Sequence, residues 1–185
     1  MRVLNAQEAG SYLNTVGMKI DDWNRLCEAS GREFSQKHRV RYQAPKGARE
    51  LYNFAQDVAS WLPSASWKLF QIDNSTWTSD DEEFLVKRLL FPSTERTDLP
   101  PTILFEVASR GADEELLLAN LIYLFLLFEY YADVVSSDSR NGKHIWICDG
   151  FVYFCSFDDN DLVEARALLT RFENTAMRVG SRRWM

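Results

Sequence analysis

The chain has 185 residues, of which 46% are hydrophobic, 26% charged and 14% aromatic. The hydrophobic and charged fractions suit one globular domain with a sizeable core, whereas the aromatic fraction is high and is consistent with either a solid core or a binding surface. The formal net charge of −6 is unevenly spread, because residues 32–49 hold six basic residues against one acidic residue. We expect the acidic remainder to repel nucleic acid and to favour a basic protein partner, with the basic stretch acting as internal counter-charge.

The ends and the cysteines of the chain predict a cytoplasmic protein without a membrane anchor. The first residues lack the apolar run of a signal peptide. The most apolar stretch, residues 116–128, contains 13 residues, whereas a membrane-spanning helix needs about 20. Cys27, Cys148 and Cys155 cannot all pair within the chain, which favours free thiols in a reducing compartment.

Taken in order, the first third of the chain predicts three helices and one strand. A first helix spans 6–16, and helical spacing of apolar residues suggests a short second helix over 20–30. Alternation over 38–42 indicates an edge strand with a charged outer face. A third helix covers 48–62, so that residues 1–63 form a mainly helical part.

The sheet-forming part, residues 64–174, alternates strands with helices. The expected strands lie at 67–72, 102–107 and 133–137, and the expected helices begin at the capping box Ser79–Glu82, at Ala112 and at Asp158 or Asp159. The helix from Ala112 should reach about Tyr131. After Phe172 the helical periodicity is lost, and residues 175–185 are predicted to form a mobile tail.

Residues 144–155 carry the strongest local signal. Asp149 and Gly150 separate two apolar runs, which predicts a hairpin with a type I′ turn. The two-residue turn sets the register, with His144 opposite Cys155 and Trp146 opposite Tyr153. One face should then be dry core, whereas the other carries large rings with polar tips.

These elements predict a single α+β (α/β-like) domain, 1–185. We expect one mixed sheet of about five strands that contains the antiparallel hairpin 144–155, covered by about six helices. No internal repeat is present.

Carboxylates are concentrated at predicted helix starts, where they stabilise the helix termini. If those helices enter from one edge of the sheet, their acidic residues form a common rim beside aromatic side chains of the hairpin. We predict that this rim binds a basic protein surface through Trp77, Asp80, Asp81, Trp146, Tyr153, Asp158, Asp159 and Asp161.

Catalytic motifs are missing from the sequence, which has no phosphate-binding loop, dinucleotide fingerprint or serine-nucleophile elbow. His144 could pair with Cys148 or Cys155, but a structural imidazole beside a structural thiol is the expected arrangement. We predict no catalytic residue, metal or cofactor. The alternatives are a small metal-dependent enzyme that uses the acidic rim, and a regulatory binding domain, including one that binds nucleic acid through residues 32–49.

From Trp67 onward the layout resembles small bacterial immunity proteins, the antidotes to toxins delivered by contact-dependent inhibition or type VI secretion. The matching segments are 67–73, 102–107 and 145–155, the last followed by Asp158 and Asp159 at a helix start. The resemblance implies a non-catalytic protein that binds a cognate toxin and blocks its active site. If that toxin is a nuclease, its basic groove would accept an acidic inhibitor.

Overall fold

The computed structural model shows an α+β fold. Within the described residues, which are 2–4, 6–20, 26–30, 34–62, 67–73, 102–108, 112–136 and 140–180, it contains four α-helices and two antiparallel sheets. The helices are α1 (Ala6–Thr15), α2 (Ala48–Trp61), α3 (Ala112–Leu127) and α4 (Asp159–Gly180). Helices thus alternate with strands as the sequence predicts, but every described strand pair is antiparallel.

The main sheet has seven described strands in the order β1-β6-β5-β7-β8-β9-β4. They are β1 (Arg2–Leu4), β4 (Arg39–Gln43), β5 (Trp67–Asp73), β6 (Thr102–Ala108), β7 (Tyr131–Ser136), β8 (His144–Cys148) and β9 (Phe151–Cys155). The smaller sheet pairs β2 (Met18–Ile20) with β3 (Leu26–Glu28). Strand β4 therefore forms one edge of the main sheet, as the alternation of its residues predicts.

The hairpin of β8 and β9 has the predicted register and turn. His144 pairs with Cys155 and Trp146 with Tyr153. Asp149 and Gly150 have φ values of 51° and 72°, and positive φ at both central positions is the mark of a type I′ turn. The turn residues thus determine which side chains face each side of the sheet.

One face of the sheet forms the main core under α2, α3 and α4. Ile145, Ile147, Val152 and Phe154 are fully buried there, as the alternation predicts. The helices contribute Leu51, Phe54, Val58, Trp61, Leu118, Ile122, Phe125, Leu162, Ala165 and Leu169 to the same cluster. Each fully buried large apolar side chain contributes about 1.5–3 kcal/mol, so this face dominates the stability of the fold.

The opposite face is covered only in part. Ala9 and Leu13 of α1, with Met18 and Phe34, pack against Val135 and Cys155 on this side. The aromatic side chains of the hairpin are only partly buried against this second cluster. Among the described residues, the second face therefore carries partly exposed polar and aromatic side chains, and the candidate site lies on it.

Helix α3 is less covered than its apolar sequence predicts. It packs against α2, but Leu116 and Leu127, with Phe128 after the helix, are 42–46% exposed. The helix ends at Leu127 instead of about Tyr131, because Tyr131 already belongs to β7. No helix in the described ranges is both long and apolar enough to cross a membrane.

Several predicted elements differ from the structure. The described part of the main sheet has seven antiparallel strands, where a mixed sheet of about five was predicted, and the described residues contain four of the about six predicted helices. The segment predicted as a second helix, 20–30, contains β3 and begins at Ile20, the last residue of β2. Helix α4 continues to Gly180, past the predicted loss of periodicity. The predicted helix from Ser79 lies outside the described residues.

Candidate functional site

The candidate site is a surface on the second face of the sheet where two arginines meet three aromatic rings. We call it the arginine–aromatic face and define it by Arg39, Arg41, Trp146, Phe151 and Tyr153. Strand pairing aligns it, because Arg41 lies opposite Tyr153 on β9, and Tyr153 lies opposite Trp146 on β8. Side chains of directly paired residues point to the same side of a sheet. Arg39 and Phe151 lie two residues from Arg41 and Tyr153 on their strands and therefore share this side.

The rings and guanidinium groups of this face are in close contact. Trp146 and Tyr153 are stacked, with 4.3 Å between ring centroids and 29° between ring planes. Arg41 Cζ lies 3.6 Å from the centroid of Phe151 and 5.7 Å from that of Tyr153. Arg39 Cζ lies 5.3 Å from the Trp146 centroid. These distances are within the range of cation–π attraction, so the rings and guanidinium groups of this face contact and stabilise one another.

Among the described residues, no carboxylate lies within ion-pair distance of the guanidinium groups of Arg39 and Arg41. Arg39 Nε is buried and has no hydrogen-bond partner in this part of the structure. Arg41 is exposed to solvent, whereas the three rings are partly exposed. The face therefore offers positive charge and aromatic surface together.

Beside this face lies a polar pair, Asp133 and His144. Asp133 Oδ1 lies 3.9 Å from His144 Nε2, and the side chains are only 15% and 4% exposed. Burial raises the pKa of Asp133 to about 7, against an opposing effect of Arg39. Burial also lowers the pKa of His144 to about 4, and Arg39 adds to this effect, although the hydrogen bond to the Gly142 carbonyl opposes it.

His144 and Cys155 are neighbours across the hairpin, but neither is activated for nucleophilic chemistry. His144 Nδ1 lies 2.7 Å from the Gly142 carbonyl oxygen, which fixes the proton on Nδ1 in the neutral ring. Burial raises the pKa of the Cys155 thiol well above its usual range. A catalytic cysteine needs the opposite shift, toward the thiolate. This pair has the chemistry of a buried structural contact.

The turn of the hairpin holds a second polar cluster. The Tyr131 hydroxyl donates to Asp149 Oδ1 at 2.5 Å, and the Cys148 thiol donates to Asp149 Oδ2 at 3.4 Å. Burial, together with the hydrogen bond and charge of Asp149, raises the pKa of Cys148 to about 11. The Asp149 carboxylate thus ties the turn to β7 and keeps the Cys148 thiol protonated.

The structure separates the described part of the predicted acidic rim, at the start of α4, from the predicted aromatic residues Trp146 and Tyr153. Asp158 caps α4, since its Oδ1 accepts a hydrogen bond from the Asn160 amide at 2.9 Å. Asp161 accepts from Lys143 at 2.9 Å and from Ser156 at 2.6 Å, so its charge is used inside the molecule. Asp159 is exposed.

Trp146 and Tyr153 lie on the side of the sheet opposite to α4 and stand next to arginines. Their neighbours on β4 are therefore cationic, and Asp133 lies directly opposite Trp146 on β7, whereas the sequence predicted an acidic rim beside them. Trp77, Asp80 and Asp81 lie outside the described residues. Within the described part of the chain, no group of three or more His, Cys, Asp or Glu residues is arranged to hold a metal ion.

Sequence reasoning missed Arg39 and Arg41 as members of a site and interpreted their stretch as counter-charge. The available signal was the alternation Arg39-Val40-Arg41, which places both arginines on one face of a strand. Only the pairing of β4 with β9 brings them against the aromatic residues.

Comparisons of the chain with protein-family models, with curated proteins and with solved structures find no match. The resemblance to immunity proteins therefore depends on the layout of the elements, and the residues of the candidate site must carry the functional argument.

Proposed function

We propose that this chain is a non-catalytic protein-binding protein of the immunity type, which holds a cognate toxin through the arginine–aromatic face. The observation that carries the proposal is the stacked pair Trp146–Tyr153 with Arg39 and Arg41 against its rings and that of Phe151. Tryptophan, tyrosine and arginine are the residue types most enriched among interface hot spots.

The order of this face supports a role in tight binding. Immobilising a long side chain at an interface costs about 0.5–1.5 kcal/mol. Here the two arginines already lie over aromatic rings, so much of that cost is met during folding. A partner can then contact the arginine–aromatic face without a large further loss of side-chain entropy on that face.

The state of the reactive groups supports a non-catalytic role. Buried His144 is neutral at physiological pH, and the thiols of Cys148 and Cys155 are held protonated. Both carboxylate oxygens of Asp161, a member of the acidic rim considered for metal binding, accept hydrogen bonds from Lys143 and Ser156.

The acidic residues have a second, weaker role in this proposal. Asp159 is exposed and Asp158 is partly exposed at the start of α4, and we propose that they attract a basic toxin surface, the role that the sequence also predicts for Asp80, Asp81 and Trp77. Such charges speed encounter more than they raise affinity. A nuclease is the toxin class that fits this charge, because its substrate groove is basic.

The face itself also favours one alternative. Arginines and aromatic rings on an open sheet face are the chemistry that single-stranded nucleic acid recognises, by stacking and phosphate contact. The net charge of −6 opposes this function. Titration with a labelled single-stranded RNA decides the matter: salt-sensitive micromolar binding that Arg41→Ala removes would favour the alternative.

The proposed function is tested by co-expression with the product of the neighbouring reading frame. We expect that product to be toxic alone, to be neutralised by the wild-type chain and to co-purify with it. Arg41→Ala should weaken protection, whereas Lys46→Ala, at an exposed position with no described aromatic contact, should not. Full protection by both variants would remove the arginine–aromatic face from the interface.

A further inference from the structure

Strand β4 is an edge strand of the described sheet, and no described strand pairs with its outer backbone groups. The Ala44 amide donates to the Gly150 carbonyl, and the Ser156 amide donates to the His38 carbonyl. Hydrogen-bonded pairs alternate along an antiparallel ladder, so Val40 and Tyr42 bond to β9. The backbone groups of Arg39, Arg41 and Gln43 consequently point away from the sheet.

Nearly all of these outward groups lack a described backbone partner. The Arg39 amide donates to the Gln36 carbonyl and is satisfied. No strand in the described part of the chain pairs with the outer side of β4. The carbonyl of Arg39 and both backbone groups of Arg41 and Gln43 remain as a row of donors and acceptors. Such a row is a template for an added strand.

The side chains of β4 determine which charge is favourable on a strand that pairs with its outer side. Arg39 and Arg41 flank the open row and have no described carboxylate partner. Residues 34–49 contain no acidic residue at all. A second copy of the chain is disfavoured, because the register that pairs the whole strand with itself places Arg41 opposite Arg41, and like charges directly opposite destabilise a sheet.

We propose that β4 accepts an acidic, extended segment of a partner protein as an eighth strand of the described sheet. Backbone hydrogen bonds to Arg41 and Gln43 supply the pairing, and carboxylates of the added strand lie against Arg39 and Arg41. Its side chains then extend the arginine–aromatic face. This inference rests on the proposed function and names the way in which the partner docks.

The test uses two synthetic peptides, one alternating glutamate with valine and the other alternating lysine with valine. We expect the glutamate peptide to bind the full chain at least about tenfold more tightly, with an affinity that falls several-fold at high salt. Bound peptide should slow amide hydrogen exchange at Arg41 and Gln43, whereas Tyr42 is already protected by β9. Equal binding of the two peptides, or unchanged exchange at both amides, would overturn the proposal.

A matched pair of variants isolates the backbone contribution. Gln43→Pro removes one outward donor but no bond to β9, and proline is tolerated on edge strands. Gln43→Ala removes only the side chain. We expect Gln43→Pro to weaken the glutamate peptide about fivefold, the equivalent of one net hydrogen bond, and Gln43→Ala to change it less than about twofold.

Equal affinity of the two Gln43 variants would refute strand addition, and so would a dimer of the chain that Gln43→Pro dissociates. The proposed function fails separately. If strand addition is refuted while Arg41→Ala still abolishes binding of the cognate partner, only the mode of docking is wrong.

Discussion

Trp146 and Tyr153 lie directly opposite each other on β8 and β9 with stacked rings. Directly opposed residues on one face of an antiparallel pair have the shortest side-chain separation in a sheet. The stack therefore follows from the two-residue turn at Asp149 and Gly150, which sets the register. It connects the most predictable element of the sequence with the surface to which we assign function.

The stack should be measurable as a coupling free energy. Aromatic pairs contribute about 0.5–1.5 kcal/mol beyond the area that they bury. We expect Trp146→Ala and Tyr153→Ala to be non-additive by about this amount in a double-mutant cycle followed by chemical denaturation. Strict additivity would mean that the two rings do not support each other.

The pair Asp133 and His144 predicts an unusual dependence of stability on pH. With folded pKa values of about 7 and about 4 against ordinary values of 3.8 and 6.5, the folded protein is protonated on Asp133 between pH 4 and 6.5. The unfolded chain is instead protonated on His144. The pair exchanges no net proton with solvent on unfolding in this window, so its two contributions to the pH dependence of stability cancel there.

Single substitutions should separate these contributions. The Asp133→Asn variant retains only His144, whose lowered pKa stabilises the fold above pH 6.5. This stabilisation, about 3 kcal/mol in total, should be lost as the pH falls toward 4. In His144→Gln only Asp133 remains, and stability should fall as pH rises from 4 to 7. Urea denaturation at several pH values measures both slopes, and two variants with the wild-type profile would contradict the buried pair.

Any side chain at Gly142 should destabilise the fold, because the backbone there has a positive φ and the surrounding rings leave no room for a Cβ atom. Its φ is +69°, and a Cβ atom there would lie 2.6 Å from Phe34 Cζ and 3.1 Å from the Phe157 ring. We expect Gly142→Ala to lower the free energy of unfolding by about 2 kcal/mol or more. Gly10, in helix α1, has no atom within 4 Å of such a Cβ, so Gly10→Ala should instead stabilise by about 0.5–1 kcal/mol. Thermal melting of the two variants should shift in opposite directions.

The histidine and the thiols should be dispensable for biological activity. Because His144 is neutral and the pKa values of Cys148 and Cys155 are raised, we expect His144→Asn, Cys148→Ala and Cys155→Ala to reduce stability at most. Protection against the toxin at permissive temperature is the readout. A variant that melts as the wild type does but gives no protection would instead indicate catalysis.

Variants at the start of α4 should separate the effect of helix capping on stability from the effect of negative charge on partner association. Asp158→Ala should cost about 1 kcal/mol of stability, whereas Asp158→Asn keeps the cap and should be neutral. Asp159→Lys removes an exposed charge without touching the cap. If these acids steer a basic partner, Asp158→Asn and Asp159→Lys should lower the association rate and flatten its salt dependence. Association rates equal to that of the wild type would limit Asp158 to its structural role.

Local patterns predicted the elements that have a strong period or a decisive turn. The apolar stripe of α2, the alternation of β4 and the Asp149–Gly150 turn each determine their structure within a few residues. Strands β1, β2 and β3 were missed because each has three residues, too few for an alternating pattern. Ile20, Trp23, Leu26 and Cys27 happen to fall at helical spacing, which led to a helix prediction for residues 20–30.

The sequence predicted the shared face of the aromatic residues in the candidate site but not their arginine neighbours. Trp146 and Tyr153 were assigned correctly to one face, since that follows from the turn. Their neighbours were assigned wrongly, because the contact with Arg39 and Arg41 depends on the pairing of β4 with β9. These strands are distant in the sequence, and no local pattern specifies which edge of the hairpin receives a further strand.

The most direct test compares two charge reversals of equal size on the purified complex. Arg41→Glu and Lys46→Glu each lower the net charge by the same amount at exposed positions of one basic stretch, but only Arg41 lies against the rings of Phe151 and Tyr153. If the arginine–aromatic face binds the partner, Arg41→Glu should raise Kd by about 30-fold or more, the effect of a 2 kcal/mol hot spot. Lys46→Glu should raise it by less than about threefold. Equal effects of the two reversals, or no effect of either, would contradict the account.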